Sequence, residues 1–493
     1  MPERVRAPSA SGRTRREFRY RAMARKLARA IERGILPPGA RLPSIRQLRQ
    51  REQVSASTAI QALGELESLG LIESRPRSGY YVRPLLQLAP PARPQARCRA
   101  TAVSVADLVS RVYRAARDPS LVVLSLATPG IDLLPVTALA RCLSAEARRT
   151  PRGAVACELP PGLAALRAAL SRRALALGCL LSPDDLIITG GVTESITLGL
   201  LAVAGRGDTV AVETPAYYGT LLAIEALGLK ALPIPCDPET GMDLDALERQ
   251  LDRQRIAAVV AVPSFANPLG SCMPDAAKER MVRMLAARRV PLVEDDVYGD
   301  LAFGTTRPRP AKSWDLDGNV IYCGSFAKSL GPGFRVGFAA PGRHLDRFEV
   351  LKFALNVAVP SITQRALASY LGGGGYDRHL RSLRARLHGN VMRMSAAVAD
   401  AFPAGTRVSR PQGGCFLWVD LPAGVDALAL HARALDAGVS IAPGPIFSPV
   451  QSHRNGIRLS CGDPWTERIA AAIRLVGRLA ALPERQAAEG GRG

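Results

Sequence analysis

Apolar residues return at a helical interval near the start of the chain. Over residues 18–33, Tyr20, Met23, Ala24, Leu27, Ala30 and Ile31 share one helical face, which predicts an amphipathic helix. Gly34 and the Pro37-Pro38-Gly39 turn stop it. Ser44 stands as an N-cap before Ile45 and Leu48 and predicts a second helix. A third begins at Ser55 and runs through Ile60, Leu63 and Leu66 to Leu69, where Gly70 closes it. Alternating segments at 71–74 and 80–83 enclose Arg75-Pro76-Arg77-Ser78-Gly79, so two short strands follow the helices. The predicted order is a helix, a helix-turn-helix, and a two-stranded wing.

From about residue 104 the pattern changes. Short apolar runs at 186–189, 209–212, 257–262, 291–293 and 320–323 alternate with helical stretches. Strands separated by helical lengths imply parallel pairing through right-handed crossovers, an α/β architecture. Functional residues then gather at the carboxyl ends of the strands. Between the two patterns, residues 84–103 hold Pro84, Pro90, Pro91, Pro94 and three arginines, the composition of a semi-extended linker.

Composition sharpens this picture at one end. The chain has 493 residues and a net charge of +22, with 47% hydrophobic and 22% charged residues, which suits a globular protein larger than one domain. The first hundred residues carry 20 Arg and one Lys against seven Glu, an asymmetry that points to a nucleic-acid-binding end. The sequence has neither an apolar run of about 18 residues nor a signal-peptide core, so a cytoplasmic protein with no membrane role is expected. Nine cysteines form no Cys-x-x-Cys pair and five histidines are scattered, which leaves no metal pattern and predicts reduced thiols.

Only six lysines are present, and one carries the strongest chemical signal. Residues 324–337 read Gly-Ser-Phe-Ala-Lys-Ser-Leu-Gly-Pro-Gly-Phe-Arg-Val-Gly, after an apolar run ending at Cys323. A desolvated lysine loses pKa and becomes an amine nucleophile for a carbonyl. Ser325 and Arg335 are residue types that hold a phosphate. Amine, hydroxyl and guanidinium together describe a Schiff-base site for pyridoxal phosphate; alone, Lys328 would also suit an exposed glycine-rich turn. Other candidates lie at predicted strand ends. Thr189-Gly190-Gly191-Val192-Thr193-Glu194 precedes a helix and suits an anion, although Gly-Gly turns are common. Tyr217-Tyr218 is compatible with simple packing. Glu294-Asp295-Asp296 could suit Mg²⁺, but no phosphate-transfer motif accompanies it. Arg458 offers a bidentate fork, or a surface charge at a strand end.

Two resemblances organise these residues. Leu42-Pro43-Ser44-Ile45-Arg46-Gln47-Leu48, Val54-Ser55, Thr58, Leu69-Gly70-Leu71-Ile72 and Gly79-Tyr80-Tyr81-Val82 resemble the GntR-type winged helix over roughly residues 16–83. The resemblance implies double-stranded operator DNA as a partner, with the third helix in the major groove. Ser55, Ser57 and Thr58 would meet phosphates or base edges, Arg46 a phosphate, and Arg75 and Arg77 the backbone or minor groove. Arg41, Ser44 and Gly79 join that expected interface. Ala56 stands where the family usually has arginine.

The lysine segment resembles that of fold-type I aminotransferases, which implies pyridoxal 5′-phosphate held as an internal aldimine on Lys328. In that frame Gly191, Val192 and Thr193 form the phosphate cup with Ser325 and Arg335, and Tyr217 stacks on the ring. Asn267 and Tyr298 bond the 3′ oxygen, Asp295 pairs the pyridine nitrogen, and Arg458 grips a substrate α-carboxylate. Lys328, Asp295 and Tyr298 are the expected catalytic residues. Leu269 replaces a usual threonine, and Cys157 replaces a tyrosine that commonly reaches the neighbouring protomer's cofactor.

Together the two halves resemble MocR-type regulators. The implied division is a disordered basic tail (1–15), a winged helix-turn-helix (16–83), the linker (84–103) and an aminotransferase-like domain (104–493). The last comprises a mostly parallel sheet with helices on both faces and a small α+β part at about 355–485. The resemblance implies a homodimer, in some cases domain-swapped, that senses an amino acid, an amine or the cofactor itself. The competing expectation is an aminotransferase for α-amino acids with a secondary DNA-binding module.

Overall fold

The computed structural model describes residues 19–32, 35–68, 71–75, 78–83, 88–94, 98–304 and 306–482. The chain divides into two units, 1–86 and 87–493. The basic tail, Gly34, Leu69, Gly70, Pro76, Arg77 and Pro84 lie outside the described residues.

In the first unit, helices Arg19–Glu32, Ile45–Glu52 and Ala56–Ser68 precede strands Ile72–Arg75 and Gly79–Val82. Met23, Ala24 and Ile31 are buried, as are Leu48, Ala59, Ala62, Leu63 and Leu66, with the third helix packed against both others, so the helical periodicity is the burial pattern. The strands pair antiparallel, Ile72 opposite Val82 and Arg75 opposite Gly79. Residues before the second helix add a third edge: the Leu42 amide donates to Tyr80 and the Val82 amide to Ala40. Ser44 and Gln47 form a capping box that starts the second helix.

The second unit is built on a nine-stranded sheet. Its main path runs Thr101–Ala102, Lys230–Asp237, Thr209–Thr214, Ala258–Ala261, Leu292–Asp295, Val320–Ser325, Gly337–Ala340, Ile187–Thr189. The five from Lys230–Asp237 to Val320–Ser325 are parallel, whereas Gly337–Ala340 is antiparallel to both its neighbours. Alternate residues of a strand face opposite sides. Ile187, Ile321 and Cys323 enter one core with Ile196 and Leu200, while Ile188, Tyr322 and Ala340 enter another with Leu166, Leu170 and Leu367. Both faces are therefore covered, which explains why the strands read as continuous apolar runs.

A third core surrounds the antiparallel sheet Arg407–Val408, Phe416–Asp420, Gly456–Ser460, Ala442–Pro443. It takes Leu124 from far upstream, and helix Ser361–Gly372 packs instead in the core around Ile188. A boundary near 355 thus does not coincide with the change of core. The 27-residue helix Gly375–Ala401 joins all three: Tyr376 and Leu380 enter one, Leu383 and Leu387 the next, and Val391, Met394 and Val398 the last.

The described parts of the expected linker, residues 88–94 and 98–103, are docked on the rest of the second unit. The Ala92 amide donates to Asp420, Arg93 pairs with Asp237 at 2.6 Å, the Val408 amide donates to Ala89, and Thr101–Ala102 joins the sheet edge. Low-propensity proline segments are still good edge partners, because they need few donors of their own. Among the described residues no helix is long and apolar enough to cross a membrane.

Candidate cofactor cleft and nucleic-acid interface

The parallel strands bring their carboxyl ends to one cleft. Lys328, three residues beyond Val320–Ser325, lies with Nζ 5.9 Å from the centre of the Tyr298 ring. Desolvation lowers its pKa below the ordinary lysine range, against opposing influences from Cys415, Tyr218 and Asp295. A larger neutral fraction of this amine is what carbonyl chemistry needs.

Asp295 ends its strand with one carboxylate oxygen accepting the Val297 amide at 3.0 Å. Burial, reinforced by Asp296, pushes its pKa up to about 7. The neighbouring carboxylates point elsewhere. Glu294 accepts the amides of Ala311 and Lys312 at 2.6 and 2.8 Å, and Asp296 pairs with Arg307 at 2.6 Å and accepts the Tyr322 hydroxyl at 2.7 Å. The three acids diverge, so a shared cation has no common centre. Tyr298 donates its hydroxyl to the Ala127 carbonyl at 3.1 Å, and a bond from it to a cofactor oxygen would require exchanging that partner.

At the other end, Gly191 (φ 125°) opens helix Val192–Val203. A Cβ on Gly191 would meet Arg335 Nη2 at 2.9 Å, and one on Gly337 would meet the Gly191 backbone at 2.7 Å. Only glycines leave this space open. The first amides of a helix lack intrahelical acceptors and carry the positive dipole end, so those of Val192 and Thr193, with Arg335 beside Gly191, could receive an anion. Ser325 lies beside it, its hydroxyl accepting the Ala327 amide at 3.1 Å and donating to Val336 at 3.3 Å.

Arg458 is fully buried. Its Nη1 donates to Asn267 Oδ1 at 2.9 Å, Nη2 donates to the Ser125 carbonyl, and Nε is buried without a partner. Its guanidinium lies 5.0 and 5.6 Å from the Phe447 and Tyr218 ring centres. Among the described residues no acid lies within ion-pair distance of it. Tyr217 packs at 4.9 Å on Tyr218, which also meets Tyr113 edge-on at 5.8 Å. Sequence reasoning missed Tyr218, Ser125 and Ala127; the adjacent Tyr-Tyr pair was a signal for the first, and nothing local marked the loop residues.

In the first unit the expected contacts separate into free and engaged groups. Arg46 and Arg41 are exposed, the latter beside Gly79. Ser55 Oγ accepts the Thr58 amide at 3.1 Å and bonds the Ser57 and Thr58 hydroxyls at 2.8 Å each, so this trio also begins its helix. Arg75, expected as a free wing cation, is held by Glu73 at 2.8 Å and lies 4.4 Å from the Tyr81 ring centre. Arg77 lies outside the described residues.

Comparison with known proteins agrees with both units. Residues 19–82 match the family described as Bacterial regulatory proteins, gntR family, and residues 141–473 match Aminotransferase class I and II. The uncharacterized HTH-type transcriptional regulators YjiR and YdcR of Escherichia coli K12 are each 38% identical. They cover 93% and 94% of this chain and 98% of their own lengths. The crystal structure of LysN, an α-aminoadipate aminotransferase from Thermus thermophilus complexed with N-(5′-phosphopyridoxyl)-L-leucine, is 29% identical. It superposes with a TM-score of 0.70 over 77% of this chain and 98% of that one.

Fold and cleft thus define a winged-helix reader joined to a fold-type I aminotransferase-like unit. The chain belongs to the MocR-type transcriptional regulators of the gntR family. The cofactor of the aminotransferase class I and II family is pyridoxal 5′-phosphate. The residues present fit it: a half-buried amine whose pKa is lowered, a buried carboxylate, and a glycine-lined helix start beside a guanidinium.

Proposed function

We propose that this regulator holds pyridoxal 5′-phosphate at Lys328 and senses an α-amino acid whose carboxylate is received by Arg458. The observation that carries this is Arg458 itself. A fully buried guanidinium with an unpartnered Nε and no acidic neighbour is electrostatically incomplete, and a carboxylate would complete it. Asn267, already fixed by Arg458, has its amide nitrogen left to bond the cofactor's 3′ oxygen. Asp295 supplies a carboxylate for a protonated ring nitrogen, Tyr217 a ring face, and Gly191, Val192, Thr193, Ser325 and Arg335 the phosphate contacts. When bound, the cofactor supplies an electron sink for groups attached to its carbonyl carbon. Lys328 Nζ can accept or return a proton in this cleft, because desolvation lowers its pKa below the ordinary lysine range.

The reader unit binds operator DNA through Arg41, Ser44, Arg46, Ser55, Ser57, Thr58, Arg75, Arg77 and Gly79. A cytoplasmic homodimer, with reader units exchanged between protomers, would present two half-site readers to a two-fold operator. Effector occupancy would change DNA affinity by linkage. A second reading, turnover of amino acids, is supported by Lys328, Asp295 and Arg458 occupying one cleft. Titrating the purified protein with amino acids, amines and a 2-oxo acid, while following visible absorbance and operator binding, separates the two. Spectral change with altered DNA affinity and no product supports sensing. Rapid conversion of both substrates with DNA affinity unchanged refutes it in favour of an enzyme.

A further inference from the structure

Behind the anion cup lies a set of groups that phosphate contact alone does not explain. Lys352, 1% exposed on helix Leu345–Asn356, places Nζ 3.1 Å from Glu194 Oε1 and donates to the Asn356 carbonyl at the end of its own helix. Asn356 Nδ2 donates to the same Glu194 oxygen at 3.1 Å. The second oxygen of Glu194 accepts the Gly190 amide. Glu194 is the third residue of helix Val192–Val203, so its carboxylate folds back over the start of that helix.

An acid there is well placed for the helix dipole but badly placed for a phosphate. It occupies one amide of the glycine turn and sets a negative charge beside a site meant for a dianion. Burying an ammonium is also unfavourable unless it is paired. Each charge alone is a liability, and together they cancel.

We propose that Lys352 is a positioning residue for the cofactor phosphate. It neutralises Glu194, so that Glu194 and Asn356 can tie the glycine turn to helix Leu345–Asn356 without repelling the anion. This inference rests on the reading of Val192 and Thr193 as the phosphate cup.

The test uses full-length, cofactor-free protein titrated with pyridoxal 5′-phosphate and, separately, with pyridoxal, which lacks the phosphate, following visible absorbance. Lys352→Met should weaken pyridoxal phosphate binding about 10²-fold, the effect of one uncompensated charge roughly 10 Å from a dianion at an effective dielectric near 20. Pyridoxal binding should stay near that of the wild type. Glu194→Gln with Lys352→Met should recover most of the loss, and Glu194→Gln alone should bind pyridoxal phosphate at least as tightly as the wild type. Equal weakening of both ligands, or a double variant no better than Lys352→Met, overturns the proposal. If Lys352→Met does not fold, Glu194→Gln decides, and weaker pyridoxal phosphate binding by it counts against the proposal. A wild-type protein that binds pyridoxal as tightly as pyridoxal phosphate would overturn the cup reading itself, which is distinct from a wild type that prefers the phosphate while the variants do not change that preference.

Discussion

Replacing Arg458 by methionine tests the sensing cleft most directly. The side chain is fully buried and bonds Asn267 and Ser125 from its two terminal nitrogens, leaving Nε unpartnered. A carboxylate on this guanidinium would gain about two charge-assisted hydrogen bonds at roughly 1.5–3 kcal/mol each. Their loss is therefore about 3–6 kcal/mol, or about a 10²- to 10⁴-fold weaker response to an amino acid. The decarboxylated amine of the same skeleton never makes those bonds, so its response should change little. Methionine keeps much of the apolar stem and removes a buried charge with no acidic partner among the described residues, which offsets the loss of a donor to Asn267 and Ser125. The protein should therefore still fold, with a modestly lowered thermal midpoint. The assay is spectral titration of the cofactor-loaded protein with an amino acid and its matching amine, alongside a thermal melt. Equal losses for both ligands, or an unchanged amino-acid response with the fold intact, would refute the carboxylate role.

Three further outcomes are expected. Lys328→Ala should abolish the visible absorbance of covalently held cofactor; a wild-type band in the variant would remove Lys328 from the site. Arg46→Ala should weaken binding to all DNA sequences together and reduce the salt slope by about 0.9 if it meets one phosphate. Loss at a single operator base instead would assign it to base reading. Asp295 has a folded-state pKa raised to about 7 by burial, so its proton favours the folded cofactor-free protein. Stability is then highest below about pH 4 for this group and falls as pH rises toward 7, by an amount on the order of 4 kcal/mol. Asp295→Asn should flatten that part of the urea-stability profile between pH 5 and 7.5, and parallel wild-type and variant profiles would contradict the assignment.

The parts of this architecture carried by local pattern were readable. Helical spacing from Tyr20 to Ile31 matches burial of Met23, Ala24 and Ile31, and the apolar runs before Gly190, Asp295 and Lys328 are strands whose ends meet. What pattern could not convey was the choice of partner. Arg75 looks like a free cation until Glu73 and Tyr81 are folded beside it. Tyr298 carries the expected hydroxyl, yet gives it to a carbonyl 171 residues away in sequence. The proline-rich linker announces extension and says nothing of the edge onto which it docks. Glu194 and Lys352 lie far apart in sequence, and the clue to their pairing was compositional. In a chain with 59 arginines and six lysines, Lys278, Lys312 and Lys352 are all buried.

Helix Gly375–Ala401 imposes a mechanical condition on any response to ligand. Its 27 residues span about 40 Å, and the Tyr376 hydroxyl at its first turn donates to Asp300 and accepts from the hydroxyl of Ser329, next to Lys328. Because one unbroken rod is embedded in three cores, the C-terminal core cannot swing on a slack hinge independently of the cleft. A disturbance beside Lys328 must either be absorbed by the side chains around Tyr376 or tilt the whole rod. In the second case, a displacement of a few tenths of an ångström at one end is levered into a larger one around Val398.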